Sequence, residues 1–274
     1  MLLPSTINAL ITRASSSKAT PQLIVNTTVY SKQTEVNLSH RIAYGLEMSG
    51  FSIINARDAA NAIRVMAILR EMIGSPQIQN MRGTTEENVF PVTNATRYIN
   101  TRAAQPLHTD NGYACVAPDF MALRCLKAAL TGGETLLVDV ESLLKYMLNR
   151  HSAKVELLYN PKSITYVTGS VKVSKSIFQR APDGKTRINF SVFADAIIGD
   201  TKECEDLFLS IVEFIHSPSN QMQYLLNKHD IIVADNRAVL HGRKEFEGER
   251  WLLRTWYDAD IIKTERGSMP YGRG

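Results

Sequence analysis

From residue 89 to residue 262 the chain is a series of short apolar, β-branched runs, each closed off by glycine, proline, asparagine or aspartate. The runs fall at 89–92, 113–116, 120–130, 135–140, 164–173, 187–193, 230–234, 238–241 and 251–257. So many short strands with turn residues between them leave few choices: two sheets packed face to face, or one sheet rolled on itself. Two stretches in this part carry helical spacing instead, 141–150 through Leu143, Leu144 and Met147, and 203–216 through Leu207, Phe208, Ile211 and Ile215. The first 88 residues read differently. Residues 5–13 suit a short helix capped by Ser5 or Thr6, and Pro21 opens a β-rich run, Leu23-Ile24-Val25. Residues 37–48 suit a helix capped by Asn37, with Leu38, Ile42 and Leu46 along one face. Gly50 ends it, and Phe51-Ser52-Ile53-Ile54 reads as a short buried strand. A helix over 59–73, carrying Ile63, Met66, Ala67 and Leu69, stops at Gly74 and Pro76. The expected fold class is therefore mainly β with flanking helices, an α+β arrangement. With 274 residues, no internal repeat and no linker, residues 1–274 read as one domain, about 1–88 as helical support and about 89–262 as the β core.

Composition narrows the class. A hydrophobic share of 44% supplies a sizeable core, and 21% charged residues is ordinary for a soluble protein. The net charge of +4 is mild and spread along the chain, with no basic tract, so no nucleic-acid partner is expected. No run reaches the ~18 apolar residues of a membrane helix, so no membrane partner is expected either. Nothing in the sequence bears on oligomeric state. The three cysteines, Cys115, Cys125 and Cys204, form no C-x-x-C pair and read as reduced thiols, Cys115 and Cys125 as core packing. The first 34 residues lack Asp and Glu and include Arg13 and Ser15-Ser16-Ser17, a faint transit-peptide texture. A plain polar N-terminus is the better reading, and the expected compartment is the cytoplasm.

One stretch carries metal chemistry: Gln105-Pro106-Leu107-His108-Thr109-Asp110. Side chains two apart on a strand project to the same side, so His108 and Asp110 present a ring nitrogen and a carboxylate to one point. These are two-thirds of the facial triad of two histidines and one carboxylate that holds non-heme Fe(II) with positions left open. The natural third ligand is His241, at the end of Ala238-Val239-Leu240-His241-Gly242-Arg243. It follows an apolar strand and an Asp235-Asn236-Arg237 turn, whose residue types suit a turn backbone.

A second stretch is Glu249-Arg250-Trp251-Leu252-Leu253-Arg254-Thr255-Trp256-Tyr257. As a strand it places Arg250, Leu252, Arg254 and Trp256 on one face. Two arginines on so apolar a strand are costly to bury without anions, and arginine is the side chain best shaped for a carboxylate. Thr131-Gly132-Gly133-Glu134-Thr135 is a Gly-Gly turn leading into a strand. The charges of Arg243-Lys244-Glu245 and Glu247-Gly248-Glu249 read as a solvated hairpin tip, and Arg180, Arg187 and Asp195 as solvated surface charges.

His108-Thr109-Asp110, Gly132-Gly133-Glu134-Thr135, Asp235-Asn236-Arg237 with His241-Gly242-Arg243, and Arg250-Trp251-Leu252-Leu253-Arg254 together resemble one family. It is the Fe(II)/2-oxoglutarate-dependent oxygenases of the taurine dioxygenase type, and within it the clavaminate synthase-like and carbapenem synthase-like branch. The resemblance implies a double-stranded β-helix, or jelly roll, as the oxygenase core. It implies that His108, Asp110 and His241 bind Fe(II), and that Thr135 and Arg250 grip the distal carboxylate of 2-oxoglutarate. Arg254 matches a position that binds the carboxylate of a small-molecule substrate, with Arg243 assisting. The loop from His241 to Arg250 is shorter than in the amino-acid hydroxylases of that branch. Asp110 argues against the related halogenases, which lack the carboxylate. The implied reaction consumes O2 and 2-oxoglutarate, releases succinate and CO2, and oxidises an unactivated C–H bond, most simply by hydroxylation, in an amino acid or natural-product intermediate.

Gln105 and Asn111 flank the metal motif and are expected to face the substrate, while Tyr113 reads as core or pocket. Two other readings compete: a Zn-dependent hydrolase or isomerase on the same three ligands, and a non-catalytic jelly-roll binding protein. Thr135 and Arg250 discriminate, because a hydrolase has no need of a second carboxylate-gripping pair.

Overall fold

The run Ile231-Ile232-Val233-Ala234 has no polar face, which suits a strand covered on both sides. In the computed structural model, which describes residues 1–14, 25–26, 32–79, 83–95 and 97–259, it lies inside the larger of two main sheets. The order is Val25–Asn26, Phe51–Asn55, Ile231–Asp235, Phe120–Lys127, Trp251–Tyr257, Glu86–Val89. All pairs are antiparallel except the first. Ile54, Phe120, Ala122, Val233 and Tyr257 turn one face toward helices Lys32–Ser49 and Ala59–Ile73. Ile53, Met121, Ile232, Ala234 and Leu252 turn the other toward a four-stranded antiparallel sheet.

That second sheet runs Met222–Tyr224, Thr135–Asp139, Val239–Arg243, Gln105–His108. Leu137 and Val239 close the core between the sheets. Leu136, Val138, Leu240 and Leu107 point outward to helices Pro4–Ala14, Val140–His151 and Lys202–His216 and to the small sheet of Ile164–Thr168. The layers are therefore helices, sheet, shared core, sheet, helices. Each fully buried aliphatic side chain in such a core contributes roughly 1.5–3 kcal/mol. The fold is mixed helix and sheet with antiparallel pairing, and the described strands fall into five sheets that close no barrel.

Period and caps explain where expectation and structure agree. Helix Ala59–Ile73 starts at Asp58, whose carboxylate accepts from Asn61 N–H, and ends at Gly74. Its buried face is Ala62, Val65, Leu69 and Met72, so Ile63 is exposed. Helix Lys32–Ser49 begins before Asn37, which lies inside it rather than at its start, while Leu38, Ile42 and Leu46 are buried as expected. Helix Pro4–Ala14 starts on its proline, which needs no N–H partner there, so Ser5 and Thr6 lie within its first turn.

Several expectations are corrected. The run 113–116 is a turn, not a strand, because Asn111 takes a φ of 54° and Gly112 and Ala114 donate back to Thr109 and Asn111. The run 164–173 is a hairpin broken at Gly169, and 187–193 keeps strand form only in Thr186–Ile188. Strand Glu86–Val89 lies earlier than 89–92. Cys115 is exposed, while Cys125 is buried. Arg187 is buried between Asp183 and Asp235, at 3.2 and 3.4 Å, rather than solvated; Arg180 and Asp195 are exposed as expected. Residues 15–24, which include the serine run and Pro21, lie outside the described residues. No described helix is long and apolar enough to cross a membrane.

Candidate active site

His108 ends strand Gln105–His108, and the antiparallel register sets it directly opposite His241 on Val239–Arg243. Their ring centroids are 4.5 Å apart. Asp110 lies beyond the end of the strand, so alternation is not what brings its carboxylate back. Asn236 does so. Its Oδ1 accepts from Asp110 N–H at 2.7 Å, and its Nδ2 donates to the carbonyls of Asp110 and Pro118 at 2.9 Å each. Thr109 between them turns to the backbone of Phe190. His108 Nε2 then lies 3.7 Å from Asp110 Oδ1, and His241 Nε2 3.7 Å from Oδ2. One ligand atom from each of the three residues falls within 4.8 Å of the others, and all three are buried.

Protonation suits a cation. His108 Nδ1 faces the Pro106 carbonyl at 2.8 Å. A carbonyl only accepts, so Nδ1 donates there and Nε2 is the ring atom turned toward Asp110. Burial and the neighbouring His108 push the His241 pKa down to about 3, keeping its ring neutral. Burial would raise the Asp110 pKa, but the Arg254 guanidinium, aided by His108 and His241, holds it well below the usual carboxylate range. Two imidazole rings and a carboxylate around one point form a donor set for a divalent ion.

Beside this triad, between the sheets, is a cavity of about 380 Å³, counting space open to solvent. Gln105, Thr135, Arg243, Arg250 and Arg254 line it with His241. Arg250 is 5% exposed, and among the described residues no carboxylate pairs with it. Burial pushes its pKa down to about 10. Thr135 Oγ1 is buried and lacks a hydrogen-bond partner among the described residues. A buried cation without an anion and a buried hydroxyl without a partner are both costly, and an anionic ligand satisfies both. Gly133 makes the approach possible: at φ 77°, a Cβ there would lie 3.2 Å from Arg250 Cδ. Gly133 thus leaves room for Arg250, while Gly132 lies against the Glu245 carbonyl across the chain reversal.

The remaining expected residues divide. Gln105 Nε2 is 3.4 Å from His108 Nε2 at the edge of the cavity. Asn111 occupies the left-handed turn after Asp110 and is not among the residues lining the cavity. Tyr113 packs against the outer core. Arg243 is buried rather than solvated, and its Nη2 donates to the carbonyls of Thr101 and Ala103 at 2.9 and 2.6 Å. Arg254 donates to Asp110 Oδ1 at 2.7 Å and pairs with Glu87. Three site residues were not expected. Asn236 was legible only as part of a turn. Trp256, on the expected inward face, donates from Nε1 to Asp110 Oδ2 at 2.7 Å. Phe193 sets its ring edge-on to His108 at 4.7 Å, with Tyr98 5.2 Å further out, and no sequence signal pointed to it.

Comparison with known proteins gives a family and a fold. Residues 44–256 match the family described as taurine catabolism dioxygenase TauD, TfdA family. The 3-((Z)-2-isocyanoethenyl)-1H-indole synthase of Fischerella ambigua is 25% identical over 171 residues, 56% of this chain and 62% of that protein. Human gamma-butyrobetaine dioxygenase is 23% identical over 184 residues, 61% of this chain and 48% of that protein. The chain thus spans about half to three-fifths of the length of these curated relatives. A solved asparagine oxygenase, in complex with Fe(II), 2S,3S-3-hydroxyasparagine and succinate, has a TM-score of 0.67 at 15% identity, covering 93% of this chain and 90% of that one.

Proposed function

The chain belongs to the taurine catabolism dioxygenase TauD, TfdA family, and from that premise we propose that it is a non-heme Fe(II)/2-oxoglutarate-dependent dioxygenase. The two main sheets are then the halves of a double-stranded β-helix, and 1–274 a single cytoplasmic oxygenase domain. One observation carries the reading: beside a buried metal donor set, a cavity lined by His241 holds a buried guanidinium with no carboxylate and a buried hydroxyl with no partner among the described residues. A zinc hydrolase or isomerase would use the same three ligands but would leave Arg250 and Thr135 without a task, and the relatives give it no support.

In this assignment His108, Asp110 and His241 hold Fe(II), and Arg250 with Thr135 receives the distal carboxylate of 2-oxoglutarate. When bound, the iron and 2-oxoglutarate supply the activation of O2 that oxidises a C–H bond, with release of succinate and CO2. The protein's own part is placement. Arg250 is a buried guanidinium shaped for bidentate grip, and Val89, Leu123 and Leu252 line the cavity with apolar surface. The substrate is a small carboxylate-bearing molecule, an amino acid or natural-product intermediate, held near Arg254 and Gln105, and most simply hydroxylated. Arg254 has donors beyond those given to Asp110 and Glu87. Arg243 assists by tying down residues 98–103, which carry Tyr98.

The test is succinate release from Fe(II), 2-oxoglutarate and O2 across a panel of amino acids. The expected result is slow release without substrate and acceleration by one or more carboxylate-bearing compounds. Background release that no carboxylate accelerates would remove the substrate class, and no 2-oxoglutarate turnover at all would remove the activity.

A further inference from the structure

Every polar atom of Asp110 is engaged. Its N–H and C=O are held by Asn236. Its Oδ1 accepts from Arg254 Nη1 and its Oδ2 from the Trp256 indole, each at 2.7 Å. The two donors are also locked to each other, since the Arg254 guanidinium stacks over the Trp256 ring 4.3 Å from its centroid. Arg254 is anchored in turn on Glu87 and on Gln79 Oε1 at 3.3 Å. Trp256 is 9% exposed and is part of the core between the sheets, so its indole has little freedom to turn.

We propose that Trp256 is a positioning residue of the metal centre, fixing the plane of the Asp110 carboxylate by its hydrogen bond to Oδ2 while Arg254 holds Oδ1. The inference rests on the reading of His108, Asp110 and His241 as metal ligands. A carboxylate oxygen has lone pairs for two partners, so each oxygen that takes a donor from this clamp has one direction left. Because Oδ1 lies toward His108 and Oδ2 toward His241, that direction decides whether the carboxylate meets the same ion as the two rings. Both donors also draw electron density from the carboxylate, which leaves it a directed and moderate ligand. Partners of this kind are typically worth 10–100-fold in metal affinity. Asp110 lies outside any strand, so no ladder hydrogen bond orients it, and this places the task on side chains.

The test uses Co(II) as the probe with three full-length chains: wild type, Trp256→Phe and Ile232→Ala. Ile232 belongs to the same core between the sheets, is fully buried and is not among the residues lining the cavity, so its truncation disturbs that core without touching Asp110. The readouts are the Co(II) dissociation constant, the visible ligand-field spectrum and stability toward urea. Trp256→Phe is expected to weaken Co(II) about tenfold and alter the spectrum. Ile232→Ala is expected to lose stability yet keep the wild-type spectrum and affinity. Trp256→Phe with wild-type affinity and spectrum overturns the inference, as does Ile232→Ala moving both to the same extent. A wild-type chain that takes up no Co(II) overturns the metal-site reading and this inference with it.

Discussion

Replacing Thr135 by valine should make the empty protein more stable and the ligand-bound protein weaker. Thr135 is 2% exposed, and its Oγ1 is buried without a partner, beside Arg250 in the same cavity. An unsatisfied buried hydroxyl costs about 1–3 kcal/mol, and valine has nearly the same shape without that group. Metal-free Thr135→Val is therefore expected to gain about 1 kcal/mol, or roughly 2–4 °C in Tm for a chain of this size. The gain reverses when a carboxylate fills the cavity. A hydrogen bond to a charged group is worth about 1.5–3 kcal/mol, so 2-oxoglutarate should bind roughly 10- to 150-fold more weakly. Urea unfolding of the metal-free chain measures the first effect. Anaerobic titration of the Fe(II)-loaded chain with 2-oxoglutarate measures the second. Thr135→Ser, which keeps the hydroxyl, should stay near wild type in affinity. If Thr135→Val binds 2-oxoglutarate within about twofold of wild type, or is itself destabilised by about 1 kcal/mol, the hydroxyl has another role and the reasoning fails.

Two further predictions rest on single side chains. Asn236→Ala removes three buried hydrogen bonds and orphans Asp110 N–H and the carbonyls of Asp110 and Pro118. It should cost roughly 3–5 kcal/mol in denaturant and lower metal affinity; a loss under about 1 kcal/mol would contradict the clamp. His216 accepts from Leu107 N–H and faces the Val212 carbonyl, and burial pushes its pKa from 6.5 down to about 4. The unfolded chain therefore takes up a proton that the folded chain refuses, and stability should fall by about 2–3 kcal/mol as pH drops from 6.5 toward 4. His216→Gln should flatten that slope in metal-free protein, and a slope equal to wild type would show that other groups set it.

Much of this arrangement is legible in the sequence where one period governs a whole element. Trp251–Tyr257 and Ala59–Ile73 have the expected bounds because strand alternation and caps act within a single window. Asp110 reaches the site for a different reason than expected: the strand ends at His108, Asn236, brought by a distant turn, holds the Asp110 backbone, and Arg254 and Trp256 hold its carboxylate. The pairing of Thr135 with Arg250 follows only from the family resemblance, since no local pattern joins a strand start to a residue so far along the chain. Arg187 and Arg243 read as surface charges because the partners that bury them, Asp235 for Arg187 beside the local Asp183 and the carbonyls of 98–103 for Arg243, lie far along the chain. Cys115 reads as core and is exposed because the run around it is a turn rather than a strand.

The central claim is that His108, Asp110 and His241 hold Fe(II) within reach of 2-oxoglutarate gripped by Arg250 and Thr135. Anaerobic absorption spectroscopy tests it most directly, by adding Fe(II) and then 2-oxoglutarate to metal-free protein. The account predicts a visible charge-transfer band that requires both additions and disappears in His241→Ala. Absence of the band in the wild-type chain, with tight Zn(II) binding in its place, would contradict it.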